Sequence, residues 1–530
     1  MSIATHTSKG IRHRIFLPTF GIAVLTAVTG LISVRSTTVE AQSTARPVML
    51  EPNLAIRTEA SGLITPISIA FLGSNDGMLV LEKQTGQVKR IVNRAVHSFV
   101  LDLGVNNASE RGLLGIATHP NFPANPGVYL YWTCQATVGQ DGDPFRPEQQ
   151  ACDDLPTMGA DSEDVLDVPL LGNRVDRFVW NGSQLVFERN LIKLLAFQHD
   201  GAPEPAGQND AAQPARGNHD GGVIAFGPDG KLYVMIGDVG RRGQLQNLAT
   251  GPGPGATDDL FGGPQPDNAH FAGAILRLNE DGSTPNDNPF NRPGAPIDEA
   301  DANVRRIYAY GIRNSFGMAF DPVSGDLWDQ ENGEDAFDEI NRIERGMNSG
   351  WIQFMGPSSR VAQFRQIETT ALHHEDTPNL QQLRWDPSRI AATPSEGMSR
   401  LFTIPGSHYN EPEFSWKHVL APAAIGFLNS RELGPQFFGD LFVGFSTTDT
   451  LGGPLFRMQL TGNRRSIAVD DPRLEDRVAD NLDFHDITES ESLVIGRDFG
   501  IITDIKTGPR GELFVVSLDQ GAVYEIFRSR

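Results

Sequence analysis

The sequence predicts an all-β fold, a six-bladed β-propeller with long loops between its strands. The 530 residues include 55 Gly and 35 Pro, a content typical of many turns rather than of long helices. A hairpin of two short apolar strands recurs six times, and a third strand of similar character follows each copy. The copies recur at long, uneven intervals, as expected for propeller blades separated by inserts.

The six hairpins follow one another along most of the chain. Their paired strands are 69–71 with 76–80, 115–117 with 128–131, 223–226 with 231–234, 317–320 with 325–328, 424–427 with 440–443, and 505–507 with 512–515. The spacing between copies requires several long loops, and such loops on a rigid ring commonly carry binding groups. The inserts 133–170, 201–216 and 250–267 are loops of this kind, and 361–399 is expected to hold a short helix or none.

The N-terminal segment has the pattern of an export signal. Lys9, Arg12 and Arg14 precede a largely apolar run over residues 15–34, and small residues suited to signal peptidase end at Ala41. An uncleaved membrane anchor is the alternative, because the run is about as long as a bilayer span. In both cases the folded part is expected outside the cytoplasm, periplasmic or secreted. We assign 1–41 to the signal peptide or anchor, 42–60 to a linker and 61–530 to the propeller.

The two cysteines and the net charge limit the partners. Cys134 and Cys152 bracket a polar insert, and an exported chain allows them to form a disulfide. Two thiols are too few for a zinc site made of cysteines. The formal charge of −22 argues against binding to the phosphates of nucleic acids. The sequence therefore predicts no nucleic-acid partner, and a membrane contact only if the N-terminal segment is uncleaved.

The third hairpin carries a histidine and an aspartate at places suited to chemistry. His219 precedes its first strand and Asp238 follows its second, so antiparallel pairing puts both side chains at one end of the sheet. A neutral imidazole is a natural general base near neutral pH, and a carboxylate can hold its other nitrogen. A loop histidine that caps the strand is the alternative. This end of the sheet is the predicted functional site.

Two further segments carry charged groups near the fourth hairpin. Arg313 and Asn314 lead into its inner strand and offer a cationic fork beside an amide, although an arginine that locks two blades together has the same pattern. Residues 331–340 form a dense run of oxygen-bearing side chains around a turn. Calcium takes about six to eight oxygen ligands, including backbone carbonyls, and this run supplies both kinds. A solvated acidic turn is the alternative.

Together these segments resemble the glucose/sorbosone dehydrogenase family, six-bladed propellers that include soluble aldose dehydrogenases dependent on pyrroloquinoline quinone and calcium. The resemblance runs from about residue 63 to residue 527, and its motifs are 110–115 (ERGLLG), the His219 hairpin, 275–283 (ILRLNEDGS), Arg313–Asn314 and 338–341 (DEIN). It implies an exported quinoprotein that oxidises an aldose or related sugar alcohol by hydride transfer to the quinone. Its partners would be a sugar and an external electron acceptor.

The resemblance also implies roles for individual residues. His219 matches the residue that takes the proton from the sugar hydroxyl, and Asp238 matches the aspartate that orients it. Arg313 and Asn314 match the pair that contacts the quinone, which Arg313 would polarise. The other implied positions are His418 for the cofactor, Glu110, Asn218 and Trp416 for the substrate, the backbone carbonyls of Gly333 and Glu334 for the cofactor's calcium, and Glu339 for a structural calcium.

The departures from the family concern the cofactor. Where the family has a lysine and arginines that neutralise the quinone's carboxylates, this chain has 446–448 (STT) and 501–503 (IIT). Phe316 replaces a polar residue, and Ile312 replaces a histidine. A tricarboxylate without cationic partners binds weakly, because each desolvated charge needs compensation. The candidate substitutes are Arg241, Arg242, Lys417 and Arg497.

Loss of those partners leaves two alternatives to the dehydrogenase. One is a calcium-stabilised propeller that binds a glycan or a protein without catalysis. The other is a lactone hydrolase in which calcium at the mouth of the ring activates water. Retention of His219, Asp238, Arg313 and Asn314 favours the dehydrogenase.

Overall fold

The computed structural model describes residues 46–73, 77–107, 110–134, 172–196, 219–238, 272–291, 304–370 and 390–529. Two short strands, β1 (Val48–Met49) and β2 (Leu54–Ser61), precede the first blade. Blades 1 and 2 are four-stranded antiparallel sheets. Their strands are β3 (Pro66–Phe71), β4 (Met78–Glu82), β5 (Gln87–Val92) and β6 (Ala95–Asp102), then β7 (Leu113–Thr118), β8 (Gly127–Thr133), β9 (Gly172–Trp180) and β10 (Leu185–Leu195).

Blades 3 and 4 recruit additional strands from distant parts of the chain. Blade 3 contains β11 (Ile224–Phe226), β12 (Leu232–Ile236), β13 (Ala274–Leu278) and β14 (Ile307–Tyr310), extended by β18 (Met347–Asn348) and β19 (His408–Tyr409). Blade 4 contains β15 (Gly317–Phe320), β16 (Leu327–Glu331), β17 (Ala336–Ile343), β20 (Phe414–His418) and β25 (Val478–Ala479). Two helices, α1 (Val361–Thr370) and α2 (Pro394–Arg400), lie in the segment expected to hold one short helix or none.

Blades 5 and 6 complete the ring, and both use N-terminal strands. Blade 5 contains β21 (Pro422–Phe427), β22 (Leu441–Phe445), β23 (Leu455–Leu460) with β24 (Ile467–Ala468) beside it, β26 (Val494–Arg497) and β1. Blade 6 contains β27 (Ile502–Thr507), β28 (Leu513–Ser517), β29 (Ala522–Arg528) and β2.

The inner strands of the six blades follow one another around a closed ring. β3, β7, β11, β15, β21 and β27 each contact the next, and β27 contacts β3. The backbones approach so closely that a Cβ on Gly115 would lie 2.0 Å from the Gly222 carbonyl oxygen, and one on Gly426 would lie 2.2 Å from that of Ile505. Glycine is therefore needed at both positions. The predicted six-bladed propeller is confirmed.

The strands of the propeller begin earlier in the chain than the expected start at residue 61. β2 pairs with β29 in antiparallel register from Leu54 opposite Arg528 to Ser61 opposite Ala522, and β1 pairs with β26. A first strand that joins the last blade covers an edge that would otherwise expose unpaired backbone groups. Residues from 48 onward therefore belong to the propeller and not to a linker.

Apolar side chains fill the spaces between blades. Tyr131 of blade 2 and Val234 of blade 3 are both fully buried in one cluster, and Ile340 of blade 4 and Val443 of blade 5 are buried in another.

In the described residues, no helix is long and apolar enough to cross a membrane. Cys134 is disulfide-bonded, and its predicted partner Cys152 lies outside the described residues. The predicted signal segment 1–41 also lies outside them, so the export signal stays a prediction.

Candidate active site

The candidate site lies at one end of the ring, where the six inner strands begin. The starts of neighbouring inner strands meet there, because Glu110, which precedes β7, accepts hydrogen bonds from His219, which precedes β11, and from Asn314, which precedes β15. Residues that precede an inner strand and residues that follow the second strand of a hairpin therefore meet at the same mouth.

His219 and Asp238 meet at this mouth as predicted. His219 Nδ1 lies 2.5 Å from Asp238 Oδ1, and the two side chains are 9% and 1% exposed. The backbone of His219 has a φ of +59°, an uncommon value for a residue other than glycine or asparagine. The hydrogen bond to Asp238 fixes the orientation of the imidazole ring, and Nε2 is the ring nitrogen that does not contact the aspartate.

Glu110 joins this pair to blade 4. One carboxylate oxygen, Oε2, accepts hydrogen bonds from the His219 backbone N–H at 2.6 Å and from Asn314 Nδ2 at 3.1 Å. The Asp238 N–H donates to the Arg313 carbonyl at 2.8 Å. The structure thus brings together five of the residues that the sequence indicated.

Arg313 is buried against the blade 4 turn. Its backbone N–H donates to Glu331 Oε1 at 2.5 Å, Nη1 donates to the Asn332 carbonyl at 2.9 Å, and Nη2 forms an ion pair with Glu334. Because Nη1 and Nη2 each have their own partner, the plane of the guanidinium is fixed. A lysine ammonium has no such plane and could not be oriented in this way.

Trp351 is a site residue that sequence reasoning missed. Its Nε1 donates to Asp238 Oδ2 at 2.8 Å, and the Arg313 guanidinium lies 5.5 Å from the centre of its ring. The indole is 1% exposed and links the acid that orients His219 to the arginine. Nothing in the local pattern around residue 351 predicted this, because the residue lies outside every hairpin repeat.

Asp220, next to His219, is fully buried. Oδ1 accepts from Asn173 Nδ2 at 2.8 Å, and Oδ2 has no hydrogen-bond partner within the described residues. Burial raises the pKa of Asp220 to about 8, although Asn173 and Arg111 favour the charged form. The carboxyl group is therefore largely neutral at neutral pH.

This shift predicts a pH-dependent stability. Between the unfolded pKa of about 3.9 and the folded value, the folded protein holds a proton that the unfolded chain has released, so stability falls as pH rises. We expect Asp220→Asn, which keeps the acceptor for Asn173, to remove a fall on the order of 3 kcal/mol. Urea unfolding at pH 5, 7 and 9 measures the free energy of unfolding of both proteins. An equal dependence of that free energy on pH in the wild type and the variant would contradict the raised pKa of Asp220.

The turn after β16 is held by two buried carboxylates, Asp338 and Glu368, and Glu368 Oε1 accepts from the Asp335 and Ala336 N–H groups at 2.9 and 3.0 Å. Asp338 Oδ1 accepts from the Gly333 N–H at 2.8 Å, and Oδ2 accepts from the Leu420 and Ala421 N–H groups at 2.5 and 2.7 Å. Burial raises the pKa of Asp338 to about 6. Asp338 thereby ties the turn that carries Gly333 and Glu334 to the chain entering blade 5.

A second group of buried carboxylates lies on neighbouring strands of blade 4. Glu331 stands opposite Glu339 in the sheet, and Asp329 stands opposite Asn341. Burial raises the pKa of all three carboxyl groups, and repulsion raises it further at Glu331, from Glu339 and Asp329, and at Glu339, from Asp329. Glu339 accepts from the Gly356 N–H and from Asn341 Nδ2. In the described residues, no three His, Cys, Asp or Glu side chains are arranged to hold a metal ion.

Two predicted site residues lie elsewhere. Trp416, expected to line the sugar site, is fully buried in the core between blades 4 and 5, with its ring centre 5.6 Å from that of Phe445. That prediction is wrong, because an aromatic residue of a propeller core and one of a sugar site have the same sequence pattern. His418 lies on the fourth strand of blade 4, where Asn481 bonds its backbone. Asn218 lies outside the described residues.

A cavity of about 480 Å³ runs along the ring axis beside this network. Glu110 belongs to both the network and the cavity wall, whereas His219, Asp238 and Arg313 are not among the residues that line the cavity. This end of the cavity is also lined by Lys83, Phe316, Ser446, Ile501 and Thr503. Four of the positions that depart from the family pattern, Phe316, Ser446, Ile501 and Thr503, therefore face one common space, whereas Ile312 is buried in a core cluster.

Comparison with known proteins identifies the family. The family model for glucose/sorbosone dehydrogenase matches residues 63–167 and 208–399. Quinoprotein glucose dehydrogenase B of Acinetobacter calcoaceticus is 30% identical over 297 residues, which are 54% of this chain and 49% of that protein. Aldose sugar dehydrogenase YliI of Escherichia coli is 27% identical over 301 residues, 57% of each chain. The match thus spans about half the length of these relatives.

Solved structures agree on the fold. Soluble aldose sugar dehydrogenase from Escherichia coli, in its apo form, superposes with a TM-score of 0.53 at 21% identity, covering 90% of this chain and 100% of that chain. The PQQ-bound form of aldose sugar dehydrogenase from Streptomyces coelicolor gives 0.50 at 20% identity, covering 91% and 100%. At these identities the likeness concerns the fold alone. From the family model, which matches more than half of its residues, the chain belongs to the glucose/sorbosone dehydrogenase family.

Proposed function

We propose that this protein is an exported oxidoreductase that oxidises a hydroxyl group of an aldose or related sugar, with pyrroloquinoline quinone as cofactor and calcium as its helper ion. The main support is the hydrogen-bonded network that joins His219, Asp238, Trp351 and Arg313 at one end of the ring. The relatives named as sugar dehydrogenases support the substrate class. A periplasmic or secreted location belongs to the same proposal.

The residues present fit the quinone on the side of blade 4. Arg313 Nε and Asn314 Oδ1 are buried and have no hydrogen-bond partner within the described residues, so a polar ligand would satisfy them. They are the pair that the resemblance assigns to the quinone. The Gly333 N–H is engaged by Asp338, which leaves the turn fixed with its carbonyls as the candidate calcium ligands.

His219 is the proposed general base. The proton on Nδ1 is held by Asp238, so the lone pair on Nε2 accepts the proton of the sugar hydroxyl. The aspartate stabilises the imidazolium that forms, and the Trp351 N–H keeps the carboxylate in place. Pyrroloquinoline quinone, when bound, supplies the acceptor for the two electrons that leave the carbon as hydride.

Three further residues orient the reacting groups and transfer no proton themselves: Arg313, Asn314 and Glu110. Glu110 Oε2 accepts from both the His219 backbone N–H and the Asn314 side-chain amide. The position of the general base is therefore coupled to the position of a residue expected to contact the cofactor. Arg313 would contact the quinone when it is bound, and its fixed positive charge would favour the negative charge that the cofactor acquires on reduction. An external acceptor then removes the electrons.

Reconstitution tests the proposal directly. Purified protein is treated with chelator, then given pyrroloquinoline quinone and calcium, and sugar-dependent dye reduction is followed. We expect saturable quinone binding and dye reduction that requires both additions, because Gly333 and Glu334 supply too few ligands to hold calcium without the cofactor.

Two outcomes favour the alternatives. Glycan or protein binding without quinone binding would favour the non-catalytic propeller, for which the neutral Ser446, Ile501 and Thr503 in the cavity wall are the specific observation. Calcium-dependent lactone hydrolysis without dye reduction would favour the hydrolase.

A further inference from the structure

The cavity along the ring axis has an apolar wall on the side of blades 2 to 5. Along their inner strands these blades contribute residues 114–116, 221–226, 316–320 and 423–427, and every one of them is apolar or glycine. A cavity of about 480 Å³ with such a wall and a few polar groups is typical of a site for a small organic ligand.

Blades 6 and 1 supply a polar stripe, but the side chains of this stripe have partners within the protein. Asp504 Oδ2 accepts from Ser68 Oγ at 2.7 Å and lies 3.0 Å from Lys506 Nζ. Thr507 Oγ1 donates to the Phe427 carbonyl at 3.0 Å. The stripe therefore does not require a polar ligand to satisfy it.

The charges of the wall balance one another. In the part of the wall that the structure describes, Lys83 and Lys506 are positive and Glu110 and Asp504 are negative. Lys506 pairs with Asp504, and Glu110 acts electrostatically on Lys83. An uncharged ligand suits such a wall, because a net charge on the ligand would lose water without gaining a matching charge.

The cationic substitutes that the sequence suggested do not change this balance where the structure describes them. Lys417 lies on β20 of blade 4 and Arg497 on β26 of blade 5, and neither residue lines the cavity. Arg241 and Arg242 lie outside the described residues.

The cavity is deep, and its apolar wall continues to the far end. Thr503 to Thr507 of blade 6 all line it, which corresponds to about 13 Å of extended strand. Phe226, Phe320 and Phe427 line the end away from Glu110. Each of these rings is in edge-to-face contact with a neighbouring aromatic side chain, at 4.9, 5.1 and 6.3 Å between ring centres.

The mouth of the cavity adjoins the catalytic network. Glu110 lines the mouth and accepts the His219 backbone N–H at 2.6 Å, and Gly221, two residues after His219, also lines the cavity. The residues expected to contact the cofactor, Arg313 and Asn314, do not line it. A ligand can therefore extend from the catalytic histidine into the cavity without using the contacts expected for the quinone.

We propose that the cavity binds the apolar tail of an amphipathic substrate, a sugar that carries an alkyl chain, while the hydroxylated head stays at the mouth beside Glu110. Binding is driven by the removal of the apolar wall and the chain from water. Oxidation of the head group rests on the proposed function, whereas binding of the tail does not.

Affinity as a function of chain length tests the assignment. The full-length protein, with pyrroloquinoline quinone and calcium, is titrated calorimetrically with glucose and with glucoses alkylated on the primary hydroxyl by ethyl, butyl, hexyl or octyl chains. We expect Kd to fall about fourfold for each methylene, the factor that corresponds to about 0.8 kcal/mol. An oligo(ethylene glycol) chain of the same length should gain much less. Dye reduction is followed with the same compounds.

Two substitutions on blade 3 locate the chain. Val223 and Ala225 are partly exposed and line the cavity. Ala225→Phe occupies part of the cavity, and Val223→Thr places a hydroxyl in its wall at nearly constant volume. We expect the preference for octyl glucose over glucose to fall on the order of tenfold in Ala225→Phe and about threefold in Val223→Thr. The matched control is Val96→Thr, an exposed valine on β6 that does not line the cavity, and it should keep the wild-type preference.

The outcomes separate this inference from the proposed function. Equal affinity of the wild type for glucose and octyl glucose would overturn the tail site, as would a chain-length dependence that persists in both blade 3 variants. Binding that strengthens with chain length, without any dye reduction, would leave the tail site standing and overturn the oxidation of the head group. Circular dichroism confirms folding, and if Ala225→Phe fails to fold, Val223→Thr decides the comparison.

Discussion

Replacing His219 with glutamine is expected to lower kcat for sugar oxidation by about 10²- to 10⁴-fold, the range attributed to a positioned general base. Glutamine approximates the shape of the ring and can still contact Asp238 Oδ1, but it cannot accept a proton near neutral pH. Quinone binding should be unchanged, because the contacts expected to hold the cofactor come from Arg313 and Asn314. Dye-reduction kinetics and calorimetric quinone binding, measured on the same preparation, separate the two effects.

His119 provides the matched control for this variant. It is also buried and has a carboxylate partner, with Nε2 lying 2.6 Å from Glu280 Oε2, but it follows β7 and so lies at the opposite end of the ring. His119→Gln should leave kcat close to that of the wild type. Full activity in His219→Gln, or an equal loss in both variants, would contradict the base assignment.

The sequence predicted the fold where pairing is local. The inner strands and their hairpin partners were found because turn residues separate them by a few positions, as in β11 and β12. The outer strands of blades 4 and 6 were not predicted, because their partners are distant in the sequence. β20 lies on β17 from more than seventy residues away, and β2 joins β29 across the whole chain. No local pattern encodes such pairing.

The difference between local and distant pairing also explains which site residues the sequence predicted. His219 and Asp238 belong to one hairpin, so their meeting followed from antiparallel register. Trp351 contacts Asp238 from a segment without a strand pattern, and Lys83 reaches the cavity from blade 1. Both are positioned only once the ring closes. Trp416 was expected at the site and lies instead in the core. Residue type alone did not predict this, because burial decides whether an aromatic side chain can contact a ligand.

Blade 4 depends on one aspartate more than on any of its ion pairs. Asp338 is fully buried and accepts three backbone N–H groups from two segments, the Gly333 turn and the entry to blade 5 at residues 420–421. Both oxygens are needed, since the two segments approach opposite oxygens. An amide has only one acceptor oxygen, and its NH₂ group would face a donor.

Asp338→Asn is therefore expected to lower the free energy of unfolding by about 2 to 4 kcal/mol, because at least one buried N–H loses its acceptor and a charge-assisted bond is lost. Urea unfolding at pH 8, above the pKa of Asp338, measures the change. Asp476→Asn is the control, since it removes a half-exposed ion pair with Arg360 that contributes little, while the amide oxygen can still accept from the Val478 N–H. The turn that carries Gly333 should also loosen, so calcium-dependent protection from unfolding should weaken in the same variant. Equal stability of the two variants would show that the three hydrogen bonds do not hold blades 4 and 5 together.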